Sequence, residues 1–442
     1  MQTLEPGTTL RCVESGQPCV IRELLGEGGQ GEVYRVDVGG EPRALKWYND
    51  LVLRVDRGLQ RRLQTAIDLG APSAHFLWPQ ELVSDPARRR LGYVMRLRRP
   101  GTVKVQSLFT QEVRPSFRTV AHAGWQLADA LLSLHARGLV YQDLNAGNVF
   151  IDPQRGTVEV CDNDNVDIDG APSVMGGVME YQAPEVVLRR SGPSRASDLH
   201  SLAVMLFRML HAGHPLVGAR ELGHANLADL TVMRRLYGND ACFVFDPVDD
   251  GNRPLPDRHG PVLGHWAIYP QALRELFTRA FTAGLHDPGA RVQESEWRRA
   301  LRQLHDSVQT CPACGAQNFH DPARRAAGLQ SHACWHCGGA LPTAPLRLGL
   351  KRRGARAADP PDHVVVLEPG AVLHADQLGT TARPASAVVV RVLPGPLLCN
   401  EGSNAWTAWP GEQPCQVLPG ESITASAGLR LAMGEVEGVV RR

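Results

Sequence analysis

Lysine is almost missing from this 442-residue chain: among 47 basic side chains only Lys46, Lys104 and Lys351 are lysines, and the rest are arginine. A lysine kept in such a background marks a place where a compact ammonium does what a planar guanidinium cannot. An excess of one charge is lacking too, since 46 acidic residues leave a formal net charge of +1. That balance speaks against a protein that binds polyanions over its whole surface. Long apolar runs are absent. The most apolar stretch, 201–210, is broken by Arg208 and falls short of the ~20 residues that span a bilayer. The first residues show no basic start followed by an apolar run, so no secretory signal is read there, and the expectation is a cytoplasmic protein without a membrane segment. Cysteine is too sparse for a disulfide scaffold, at ten residues, and four of these stand as two C-x-x-C pairs, which points to metal in a reducing compartment. With 43% hydrophobic and 21% charged residues, the composition is that of a globular chain and excludes a disordered one.

The texture changes along the chain. Short strands are predicted at 10–13, 19–25, 31–38 and 44–48, and amphipathic helices at 118–137, 197–211 and 270–283. Strands followed by helices predict an α+β domain over 1–307, with a small β-rich lobe (1–97) and a larger helical lobe (98–307). Residues 308–341 are cysteine-rich. The stretch 342–361, with four prolines and the basic run LKRRGAR, reads as an exposed linker. From 362 to 442 short β-patterned runs alternate with turn residues, predicting an all-β, sandwich-like module of six to eight strands. Its Trp406 and Trp409 are expected to pack between two sheets.

Three motifs carry chemistry in the first domain. Gly26, Gly28 and Gly31 form G-x-G-x-x-G between two β-patterned runs, where residues without a Cβ let a hairpin close over phosphates. A strand rather than a helix follows, which excludes a dinucleotide-binding fold. Lys46 stands in the next strand. Further on, Asp143 and Asn148 have D-x-x-x-x-N spacing after a helix that ends at Gly138, and Asp162 follows an apolar strand. A general base for a hydroxyl, and an amide plus a carboxylate for Mg²⁺, are the parts that phosphoryl transfer needs in this order.

With these motifs, residues 9 to about 307 resemble a eukaryotic-type serine/threonine kinase domain. The resemblance implies an ATP site formed by Gly26, Gly28, Gly31, Val33, Ala44, Met95 and Leu97, with Lys46 on the phosphates. It implies Asp143 as catalytic base and Asn148 and Asp162 on Mg²⁺, with Mn²⁺ as a substitute. It also implies a Glu185–Arg291 ion pair, and Asp198 tying the central helix to the catalytic loop. Several positions depart from the pattern. The family's H-R-D is Tyr141-Gln142-Asp143, its D-F-G is Asp162-Asn163-Asp164, and the lysine usually two residues after the base is Asn145. No glutamate lies between Asp50 and Ile67, where the partner of the strand lysine belongs; Gln64 or Gln60 could hydrogen-bond Lys46 but cannot neutralise it.

These departures, with Leu77-Trp78-Pro79 and His214-Pro215-Leu216, resemble a divergent bacterial group associated with tellurite-resistance-type systems. Many of its members carry a zinc ribbon and a C-terminal β-domain, and the partners implied are a von Willebrand A-domain protein and a phosphatase. A nucleotide-binding pseudokinase scaffold and a zinc-ribbon nucleic-acid regulator stay open as alternatives, the latter disfavoured by the neutral charge.

Cys311, Cys314, Cys334 and Cys337 form C-x₂-C-x₁₉-C-x₂-C, which predicts a structural Cys₄ zinc ribbon over 308–341. His320, His332 and His336 are expected as surface residues beside it. The other cysteines read as core filling, with Cys161 lining the nucleotide site. Between Asp162 and Glu185 the single aliphatic hydroxyl is Ser173, and Gln142 offers no cation for a phosphate, so activation by phosphorylation of this segment is not expected.

Overall fold

A computed structural model describes residues 4–85, 89–170, 177–322, 328, 333–356, 359–379 and 387–442. Two compact units are formed: 1–115 with 123–263 and 276–298, and 116–122 with 264–275 and 299–442.

The first unit begins with six strands: β1 (Thr9–Cys12), β2 (Pro18–Gly28), β3 (Gly31–Val38), β4 (Glu41–Tyr48), β5 (Glu81–Asp85) and β6 (Arg90–Met95). Their order is β1-β2-β3-β4-β6-β5, and β1 also pairs with β5 through Arg11 with Ser84 and Cys12 with Val83, so the sheet closes into a barrel. Closure follows from alternation along the strands. Leu10, Cys12, Cys19, Ile21, Tyr34, Val36, Leu45, Trp47, Val83 and Val94 all turn inward onto one cluster, and no edge is left between β1 and β5. Burial pushes the Cys12 and Cys19 thiols up to about 11 and about 12, as suits core filling. Between β4 and β5 lie α1 (Asp50–Val55), capped by Asn49, and α2 (Leu59–Leu69). Leu59 and Leu63 of α2 turn to a second cluster with Tyr48, Tyr93 and Leu77.

The helical part is organised by Arg195–His211, which starts at a capping box between Ser194 and Ser197 and is buried on nearly all sides. Phe207 meets Phe243 and Phe277 edge-on against it. The predicted helices are found at Phe117–His135, Arg195–His211 and Gln271–Phe281. No helix among the described residues is long and apolar enough to cross a membrane.

In the second unit, Val308–Thr310 pairs with Gln317–Phe319 beside the cysteines. Beyond them lie two antiparallel sheets. One has the order His363–Val366, Arg347–Arg352, Val436–Arg441, Arg430–Met433, Trp406–Trp409, Cys415–Val417. The other runs Val372–His374, Val388–Leu393, Leu397–Asn400, Ser422–Thr424. Leu348, Leu350, Val390, Leu398, Trp406 and Val440 share one core between them.

The stretch 342–361 therefore differs from the exposed linker expected. Arg347–Arg352 pairs with strands on both sides. The basic run conceals a period of two: Leu348 and Leu350 are fully buried and alternate with the partly exposed Arg347, Gly349 and Lys351. Trp406 is buried as expected, but Trp409 is only partly covered, under the Arg430 guanidinium at 5.4 Å.

Candidate active site

The glycine hairpin joins β2 to β3, and Gly31 is required there because an added Cβ would lie 2.0 Å from the Trp47 carbonyl oxygen. Strand β4 runs beside β3 with Lys46 opposite Val33, and beside β6 with Ala44 opposite Met95. This pairing places Gly26, Gly28, Gly31, Val33, Ala44, Lys46, Met95 and Leu97 around one cavity of about 770 Å³. Asp143, Asn148, Asp162 and Cys161 line the same cavity. All the positions named from the sequence for nucleotide and Mg²⁺ are thus brought together.

Lys46 is buried, with a side chain only 7% exposed. Its ammonium donates to Gln30 Oε1 at 2.6 Å, to Asp164 Oδ2 at 2.8 Å and to Asp162. Three donors meet three acceptors, which a planar guanidinium could not arrange around one point. Burial would lower the lysine pKa, but Asp164 and Asp162 outweigh it and raise it. The expectation that Gln60 or Gln64 bonds Lys46 is corrected: Gln64 donates to Glu14 and to Asp68, and Gln60 is exposed. The reason is the rotation of α2, whose apolar face of Leu59 and Leu63 points inward and carries both glutamines outward.

Asp162 adopts a left-handed backbone, with φ +59°, at the end of the strand Val158–Val160. Burial and the neighbouring Asp164 charge push its carboxyl up. Asp164 is buried deeper, and although burial opposes its charge, Lys46 and a hydrogen bond from the Tyr48 hydroxyl hold it below the usual carboxylate range. Gln30, Tyr48 and Asp164 were not foreseen as site residues. The signal for Asp164 was present in the D-x-D spacing, which first reads as a mere departure from the family motif.

Asp143 is held by its own loop and by the backbone at Val178. Asn145 donates its amide to Asp143 Oδ1 at 2.8 Å, the Val178 N–H donates to the same oxygen at 3.2 Å, and Asn148 donates to the Asp143 carbonyl at 3.0 Å. Burial nevertheless raises the Asp143 carboxyl pKa, which favours proton acceptance. Asn148 uses its amide nitrogen on Asp143, so its oxygen is the atom it offers to a cation. An amide oxygen and the Asp162 carboxylate are the hard ligands that Mg²⁺ takes.

Two supports lie behind the loop. Asp198 accepts the backbone N–H groups of Tyr141 at 2.5 Å and Gln142 at 3.0 Å, and contacts His135 Nε2 at 3.1 Å. His135 bridges on to Glu294; burial disfavours its charge, but the two carboxylates prevail and lift its pKa to about 8. Glu185 and Arg291 form a two-pronged pair at 2.7 and 2.8 Å, as the resemblance implied. Arg291 also donates to the carbonyls of Ala196 and Gly284. Ser173 lies outside the described residues.

In the second unit the ligand atoms of Cys311, Cys314, Cys334 and Cys337 all lie within 4.8 Å of one another. The Sγ–Sγ separations Cys311–Cys337 and Cys314–Cys334 are both 3.7 Å. A Zn–S bond of about 2.3 Å in a tetrahedron gives an edge of about 3.8 Å, so the four thiols could hold zinc. Gly315 and Gly338, at φ +75° and +71°, make the two left-handed knuckle turns. His320 is buried and bonds Arg347, unlike the surface position expected of it, and His332 lies outside the described residues.

Comparison with known proteins agrees with this geometry. Residues 88–250 match the family model of the protein kinase domain. The chain is 29% identical over 294 residues to the DNA damage-responsive serine/threonine-protein kinase RqkA of Deinococcus radiodurans, covering 64% of this chain and 40% of that protein. It is 27% identical over 207 residues to ribosomal protein S6 kinase alpha-2 of Homo sapiens (45% of this chain, 27% of that protein). CBL-interacting protein kinase 4 of Oryza sativa subsp. japonica is 30% identical over 204 residues, 44% of each chain. The chain spans less than half the length of each of these curated relatives. Fold, site and relatives converge on one likeness: over 88–250 this chain is similar to protein kinase domains.

Proposed function

We propose that the protein is an ATP- and Mg²⁺-dependent serine/threonine kinase that transfers the γ-phosphoryl group to a protein hydroxyl. The observation that carries this is the convergence of Lys46, Asp143, Asn148 and Asp162 on a single cavity under the glycine hairpin. Asp143 would accept the substrate hydroxyl proton, a role suited to a buried carboxylate with raised pKa. Lys46 would orient the phosphates, and Ala44, Val33, Met95 and Leu97 would enclose the base. Asn148 and Asp162 would hold Mg²⁺, which when bound neutralises charge on the transferring phosphoryl group. Asn145 would keep Asp143 pointing at the hydroxyl, from the position where the family carries a lysine.

The Cys₄ ribbon would hold one structural Zn²⁺, and with the β-module it would recruit substrate or partner. A von Willebrand A-domain protein and a phosphatase, by resemblance to the tellurite-resistance-associated group, are the partners to try first, in the cytoplasm. Transfer of labelled phosphate to such proteins by the wild type, with Asp143→Asn as control, tests the reading. Equal transfer by both would sink it.

A further inference from the structure

We propose that Asp164 is the positioning residue for Lys46, doing from the D-x-D segment what a helix glutamate does elsewhere. The inference rests on reading the cavity as a nucleotide site. Three observations carry it. First, neither α1 nor α2 supplies a carboxylate to Lys46: Asp50 pairs with Arg90, Asp56 with Arg62, and Asp68 accepts from Gln64. Second, the two carboxylates on Lys46 differ in surroundings. The Asp162 side chain is 28% exposed and lines the cavity, whereas that of Asp164 is 2% exposed and lies outside the cavity lining. Third, the oxygen of Asp164 that receives Lys46 also accepts the Tyr48 hydroxyl, which comes from the same strand as the lysine.

A buried carboxylate held by two donors from β4 is a permanent partner. Asp162, facing the cavity, is the one free to turn to a cation while Lys46 turns to a phosphate. A lysine with three donors can keep Asp164 throughout and still bond a ligand. The absent helix glutamate and the extra aspartate are then two halves of one change. Because both partners of the pair lie outside α2, the lysine is set in place without any movement of that helix.

The scarcity of lysine makes this directly testable. In the full chain with ¹⁵N-labelled lysine, three Nζ resonances are expected, and Lys46→Met identifies the one from Lys46. In Asp164→Asn that resonance should move toward the positions of Lys104 and Lys351, which stay unchanged. Tyr48→Phe, a milder change, should shift it less and in the same direction. Asp164→Asn should weaken Mg·ADP binding ~10-fold, yet cost less than ~2-fold when Lys46 is already methionine, because residues in one network are not additive. Gln64→Ala should leave binding within ~2-fold of wild type. An unmoved Lys46 resonance, or an equal loss of affinity with and without Lys46, overturns the proposal. If the wild type binds no nucleotide, the kinase reading fails, and the Nζ spectrum still decides whether Asp164 holds the lysine.

Discussion

Asp198 accepts the backbone N–H of Gln142 at 3.0 Å and so holds that residue in a left-handed conformation, φ +69°, beside Asp143. A non-glycine residue adopts such a backbone only where its surroundings impose it. Here a carboxylate from the central helix supplies the constraint.

Asp198→Ala should therefore harm both stability and activity. It leaves the Tyr141 and Gln142 N–H groups and His135 Nε2 without their acceptor, a loss of ~3–5 kcal/mol for breaking a buried charged network. Displacing the loop by about 1 Å should lower phosphate transfer ~10²-fold. Urea unfolding and initial rates check the two effects, and an unchanged midpoint would refute the structural half.

Asp143→Asn should lower transfer by ~10²–10⁴-fold, the usual worth of a general base. Nucleotide affinity should stay close to wild type, because Asp143 makes no contact with Lys46. Lys46→Arg should instead weaken nucleotide binding as well, since a planar fork cannot reach Gln30, Asp162 and Asp164 together. Separate KM and kcat measurements distinguish the two variants.

Two histidines should shape the pH dependence of stability in opposite directions. His135, lifted to about 8 by Asp198 and Glu294, favours its charged form in the fold. Its contribution is full below the unfolded value of ~6.5 and is lost as pH rises through about 8. His200 is buried beside Arg291, His214 and Phe281, and its pKa is lowered by burial and then by Arg291. The unfolded chain protonates this residue more readily, so its penalty grows as pH falls below ~6.5. Denaturation midpoints should show both limbs, with His135→Gln flattening the alkaline one and His200→Phe the acid one.

Metal analysis of purified protein should find one Zn²⁺ per chain, and Cys334→Ser should lose it. Chelation should lower the melting temperature, because the short hairpins around the cysteines have a small core of their own. A Cys334→Ser protein that kept stoichiometric zinc would point to other ligands.

Motif order, the four-cysteine spacing and the helical periodicities were legible in the sequence because each is local: glycines mark a tight hairpin, and apolar residues at helical spacing mark a buried face. The residues around the cavity could be named because the order of these motifs resembles that of a kinase domain. Contacts made across long stretches of chain were not legible. Lys46 and Asp164 are 118 residues apart, and no periodicity says that Gln30 rather than Gln60 or Gln64 completes the set. Closure of β1 on β5 and the pairing of Arg347–Arg352 between two strands are of the same kind. Strand pairing and the rotation of a helix depend on which apolar faces can be buried together, and only the folded chain decides that.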